Sequence, residues 1–202
     1  MADNISVKDA AGSTVVVRAE DNTSVFLPLH GIADTTGANV ASVDSASALK
    51  VATQSTITTV TLSLDTAAYA DGDVLADSQI VTACFSKNDG FGVLNSITVL
   101  DEDDQGQGLD LVFLSSNVSL GSENAAPSIT DANARNILGW VRISASDFID
   151  LGGSRLATIS GISLHVKPVS GSDDMYVAAI SRGTGTYTAS GIQLLLGISC
   201  EA

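Results

Sequence analysis

The stretch Thr56-Ile57-Thr58-Thr59-Val60-Thr61-Leu62-Ser63-Leu64 decides the fold class. Val60, Leu62 and Leu64 take every second position, and Thr59, Thr61 and Ser63 fill the alternate ones. That is the period-two pattern of a strand with one buried face. Threonine and the β-branched aliphatics suit the pleated surface they would occupy there.

Working outward, further β segments are predicted at 80–85, 93–100, 109–114, 138–143, 157–162, 164–166, 175–180 and 192–198. Turn chemistry stands between them: Asp71-Gly72, Asn88-Asp89-Gly90, Gly106-Gln107-Gly108, Gly152-Gly153, Ser170-Gly171-Ser172-Asp173 and Arg182-Gly183-Thr184-Gly185. Short strands at regular spacing imply an all-β sandwich or barrel. One short helix is expected within 128–137, with Ser128 as its cap and Asp131 facing the helix dipole. The first fifty residues differ. Strands are predicted at 5–7, 14–17 and 24–29, but residues 31–48 are rich in Ala, Ser, Thr, Asp and Asn without apolar periodicity. The expected organisation is an arm or hairpin with a polar linker over 1–50 and a β-sandwich body over 51–202. Such an arm buries too little apolar area to offset the roughly 1–2 kcal/mol that ordering each residue costs, so it needs a partner.

The 202 residues make one domain, or a domain plus an arm. Hydrophobic residues are 45% of the chain but aromatics 4%, so the core must come from small aliphatic side chains. With 23 Asp and Glu against 9 Lys and Arg, the net charge is −14. A surface with that deficit repels polyanions, which excludes nucleic acid and disfavours anionic membranes as partners. No apolar run approaches the roughly 20 residues that span a bilayer, and the N-terminus lacks the pattern of a secretory signal. Synthesis in a cytoplasm is the expectation. Cys84 and Cys200 form neither a disulfide framework nor a metal spacing and are read as buried thiols.

Catalysis finds little support. Histidine is the usual general base, and both His30 and His165 fit strand positions facing solvent. No nucleophile elbow, zinc-helix motif or phosphate loop occurs. The carboxylates are the concentrated charge. Asp65, Asp71, Asp73 and Asp77 are read as one loop, and Asp101-Glu102-Asp103-Asp104 follows a strand. Both groups offer hard oxygen ligands for Ca²⁺, yet neither has EF-hand spacing, and a solvated acidic loop is the competing reading. Trp140, between Gly139 and Val141, suits a core or interface anchor, while Tyr69, Tyr176 and Tyr187 are scattered rather than gathered as a sugar platform. No enzymatic activity and no cofactor are expected.

Three stretches carry a resemblance: the beginning, from Met1-Ala2-Asp3-Asn4-Ile5-Ser6-Val7 to Val25-Phe26-Leu27-Pro28-Leu29-His30-Gly31; the phrase from Leu62-Ser63-Leu64-Asp65 to Gly72-Asp73-Val74-Leu75-Ala76-Asp77; and Thr186-Tyr187-Thr188-Ala189-Ser190-Gly191-Ile192-Gln193-Leu194. In style the chain resembles the capsid decoration, or cement, proteins of tailed bacteriophages. That resemblance implies a jelly-roll-like β-sandwich behind an extended arm. It implies a homotrimer on the outer capsid surface of a virion, clamping neighbouring major capsid subunits. Arm segments Thr14, Val15, Val16 and Val17, and Val25, Phe26, Leu27 and Leu29, are the expected partner contacts, through strand addition to a neighbour or as strands of this chain's own sandwich. The alternative function is a tail, baseplate or fibre-associated protein that binds a receptor or glycan.

Overall fold

A computed structural model describes the backbone of residues 5–8, 14–17, 19–20, 27–28 and 53–201, with side chains from 55 to 200. The chain divides into two units, Met1–Val51 and Ala52–Ala202. In the first, β1 (Ile5–Lys8) pairs antiparallel with β2 (Thr14–Val17), placing Val7 opposite Val15 and Ser6 opposite Val16. A second pair joins β3 (Ala19–Glu20) to β4 (Leu27–Pro28). The predicted contact segment Thr14–Val17 therefore pairs with Ile5–Lys8 of its own chain, and Leu27 stands opposite Glu20. Val25, Phe26 and Leu29 lie outside the described residues, as does His30.

The second unit is a two-sheet sandwich. Its strands are β5 (Thr53–Thr61), β6 (Val74–Val81), β7 (Gly92–Asp101), β8 (Gly108–Leu114), β9 (Ile137–Ile143), β10 (Phe148–Asp150), β11 (Arg155–Val166), β12 (Met175–Arg182) and β13 (Ile192–Glu201). One sheet has the order β10-β11-β7-β13-β5, the other β6-β12-β8-β9. Setting aside the short edge strand β10, the antiparallel pairs nest: β5 with β13, β6 with β12, β7 with β11, and β8 with β9. First pairs with last, second with next to last, and so on inward. This is the winding of an eight-stranded jelly roll, so the expected fold class holds.

The core lies between the sheets. Val60, Leu62 and Leu64 are all buried, as the alternation in 56–64 requires. Leu94, Ile97 and Val99 of β7, Leu194, Leu196 and Ile198 of β13, and Leu111 and Phe113 of β8 meet them there. Small aliphatics fill the space, with Tyr69 and Tyr187 closing one end at 6.1 Å between ring centroids. The Tyr69 hydroxyl donates to the Leu75 carbonyl at 3.0 Å and accepts from the Asp65 amide at 2.6 Å. Burial pushes its pKa up to about 12, which keeps the hydroxyl protonated. Cys84 and Cys200 are buried and form no disulfide, and burial pushes the Cys84 thiol up to about 12.

Three expectations need correction. The strand placed at 80–85 is β6 at Val74–Val81, and the chain turns immediately after it, with Ala83 in the left-handed region (φ 48°) and its amide donating to Asp174 at 2.7 Å. β6 was hidden because Val74, Leu75 and Ala76 are buried in succession, which erases alternation. Segments 157–162 and 164–166 are one strand, β11, carrying a bulge between Ser160 and Leu164 at the left-handed residues Gly161 (φ +74°) and Ser163 (φ 55°). The helix is a single turn, α1 (Asp131–Ala134), capped by the Thr130 hydroxyl on the Asn133 amide rather than by Ser128, with Asp131 in its first turn as expected.

Candidate functional site

Strand β8 reads Gly-Leu-Asp-Leu-Val-Phe-Leu, and all seven residues are buried. Alternation then puts Leu109, Leu111 and Phe113 in the core and Asp110, Val112 and Leu114 on the outer face of the four-stranded sheet. A charge buried on that face must be paired. Register supplies the partners: Arg142 of β9 stands directly opposite Asp110, and Arg182 of β12 is two residues beyond Asp110's other neighbour, Ile180.

Arg142 donates from Nε and Nη2 to the two Asp110 oxygens at 2.8 and 3.0 Å. Arg182 donates from Nε and Nη2 to Oδ2, both at 2.8 Å. A longer contact of 3.7 Å joins Arg182 to Asp71. Burial pushes the Asp110 carboxyl up, but the two guanidinium groups outweigh it and hold the group below the ordinary carboxylate value. Asp110 is therefore an ionised fixing point with both oxygens engaged, not a proton donor.

Beside it, Trp140 stands opposite Val112 and is 58% exposed, with the Arg142 guanidinium 5.3 Å from its ring. Trp140 is thus no core residue; its exposure leaves the interface-anchor half of the sequence reading. Val112, Ile137, Trp140, Ile180 and the two arginines line a shallow groove of about 290 Å³. An arginine pair locked in place beside an exposed indole is the kind of preformed surface that anchors a partner or stacks against a flat ring.

Part of this outer face is covered. Residues 115–130 fold over it, so that Leu120, Val118 and Ile129 pack on Val74, Val112, Leu114 and Ala178. The cover is pinned where Val74 exchanges backbone hydrogen bonds with Ala125 and Asn124, and where Asp77 accepts from the Leu120 amide at 2.8 Å.

The acidic groups singled out for Ca²⁺ have separate duties. Asp65 accepts from the Ala67 amide, Asp73 from the Ala70 amide and Asp77, within β6, from Leu120, while Asp71 faces Arg182. Among the described residues, no three His, Cys, Asp or Glu side chains gather as a metal site. In the other group, Asp101 is buried and accepts from the Gly106 amide at 2.6 Å and the Asp103 amide at 3.1 Å, and burial raises its pKa. Asp103 receives the Thr188 amide at 2.7 Å, and Asp104 pairs with Arg155 at 2.8 Å. These carboxylates tie loops together.

His165 is exposed on β11, as expected. Sequence reasoning missed the Asp110–Arg142–Arg182 cluster. Its signal was a charge inside two apolar strands, Asp110 and Arg142, and a third, Arg182, read as part of a turn and found at the end of β12; which charges meet depends on register.

No family model matches the chain, and no curated protein does. One solved structure it resembles, from Desmodium yellow mottle tymovirus, is 9% identical with a TM-score of 0.31, over 91% of this chain and 96% of that one. An overlap of that size identifies neither a family nor a function.

Proposed function

We propose that this protein is a structural component of a virus particle, attached to the outer capsid surface, where it clamps neighbouring major capsid subunits. The observation that carries the reading is the division into a jelly-roll body and an N-terminal unit of short strand pairs. Pairs of four and two residues per strand are marginal on their own in water. Seated on a neighbouring subunit, the same segments gain area and backbone partners. The jelly roll is among the architectures used by capsid and lectin domains, which is support by analogy of fold. Net charge −14 suits an outward position away from packaged nucleic acid.

Deleting residues 1–48 tests this. The truncated chain should keep the cooperative melting of the body and lose co-sedimentation with capsid shells of the virus that encodes it. Undiminished decoration by the truncated chain would remove the clamp.

One observation favours a second reading, a tail, baseplate or fibre component that binds a receptor glycan: the exposed indole of Trp140 over its groove. The chain has one tryptophan, so its emission reports on that groove alone. A saturable change on titrating glycans supports this second reading, and silence across a broad glycan panel supports the clamp.

A further inference from the structure

Between the row of Ile149, Leu156, Leu100, Gln193 and Thr61 and the row of Val93, Ser199 and Ser55, the outer face of the five-stranded sheet carries no Asp, Glu, Lys or Arg; Glu201, opposite Thr53, stands one row beyond. His165, at one corner, is its titratable side chain. On a chain of net charge −14 this face stands apart.

Register also draws a pattern on it. Ile149 on β10, Leu156 on β11 and Leu100 on β7 stand in one row; Leu195 on β13 is one row further along, and Ile57 on β5 one more. One apolar side chain per strand makes a diagonal stripe, each within reach of the next. Ile57 is 73% and Ile149 57% exposed. Opposite Ile57, Gly197 leaves room that a Cβ would deny, since it would collide with the Ser96 hydroxyl.

The polar groups flanking the stripe bond sideways. Thr98 and Thr158 hydroxyls are 3.0 Å apart, Asn95 donates to Ser199 at 2.8 Å, and Gln193 reaches Thr61 at 3.5 Å. Groups already satisfied within the face lose less when water is removed from it.

We propose that this face is where two copies of the chain pair. Two molecules of like charge repel least where neither bears a charge. Four strands about 4.8 Å apart and residues 55–61 at about 3.3 Å each, with the three residues of β10 at the edge, make a face of roughly 490 Å², so two in contact bury about 1,000 Å², the lower bound of a specific interface. A face meeting its own copy is isologous and closes at two. Pairing through this face gives a dimer, in contrast to the trimer expected from the sequence. The inference is independent of the clamp: pairing is read in solution, without shells.

Sedimentation equilibrium of the full chain tests it. The expected mass is twice 20.5 kDa. Ile57→Glu and Leu195→Glu should each weaken pairing by roughly tenfold or more. Raising NaCl from about 0.1 to about 1 M cuts the screening length from about 10 to about 3 Å and should tighten the wild-type pair. Ile57 is exposed, so its variant decides the matter if Leu195→Glu fails to melt cooperatively. A monomer at all concentrations, a trimer, or a dimer indifferent to Ile57→Glu overturns the proposal. So does a monomer whose Ile57→Glu variant loses shell binding, which would assign the face to the capsid.

Discussion

The two sheets share one core but present opposite outer faces. On the four-stranded sheet a buried carboxylate is locked by two arginines, and the apolar surface around Val74, Leu114 and Ala178 is roofed by residues 115–130, which leave the Trp140 groove open. On the five-stranded sheet the outward positions are Ser, Thr, Asn and Gln around a thin apolar stripe, with no roof drawn from the described residues of that unit. The difference teaches where stability and where contact reside. A roofed face contributes to folding through buried area and paired charge, so altering it weakens the fold. A bare face, several of whose polar groups bond to one another, contributes less to folding and is the one proposed to meet a second copy.

The largest expected effect falls on what the sheets share. Phe113 is fully buried between them, and Phe113→Ala should destabilise the body by about 3–5 kcal/mol in denaturant titration. Leu62→Asp should abolish cooperative unfolding altogether, because it buries an unpaired charge. A folded, soluble Leu62→Asp variant would contradict the inward facing of Val60, Leu62 and Leu64 at the end of β5.

Next comes the roofed face. Leu120→Ala, which thins the roof itself, should cost about 2–3 kcal/mol. Asp110→Ala removes the carboxylate that two part-exposed guanidinium groups share and should cost about 1 kcal/mol, since water rehydrates the arginines. The pH dependence carries a sign. The folded-state pKa of Asp110 is lowered, so its contribution is present above the ordinary carboxylate value near 4 and is lost as pH falls through the lower folded value. Wild-type stability should therefore drop below about pH 4 more steeply than that of Asp110→Ala. Equal slopes would mean that the arginines do not hold the carboxylate ionised.

Smallest of all, Thr59→Ala on the bare face should change the stability of the single chain by less than about 0.5 kcal/mol. A large loss there would erase the contrast between the faces.

Much of the strand pattern and the buried face was legible in the sequence, whereas the contrast between the outer faces was not, for a physical reason. Alternation in 56–64 shows which face of β5 is buried because one side of that strand meets the core and the other does not. β6 broke the rule because its first three residues are buried on both sides, by the core and by the roof, so burial no longer alternates. β8 carries the same two-sided burial, yet its run of apolar residues was long enough to read as a strand. The nesting of the pairs was not readable from local pattern, since it joins strands as distant as Thr61 and Gln193. For the same reason the Asp110 cluster escaped notice: Asp110, Arg142 and Arg182 are ordinary charges until register sets them side by side. Trp140 looked like a core or anchor residue from its neighbours Gly139 and Val141, and its position on the outer face of edge strand β9 rules out the core.

The central claim is that the protein acts by holding other subunits together. The most direct measurement is the temperature at which capsid shells rupture, recorded with and without saturating amounts of the full chain. The account predicts that bound protein raises that temperature. Shells that are fully decorated and yet rupture at the same temperature as bare ones would contradict it.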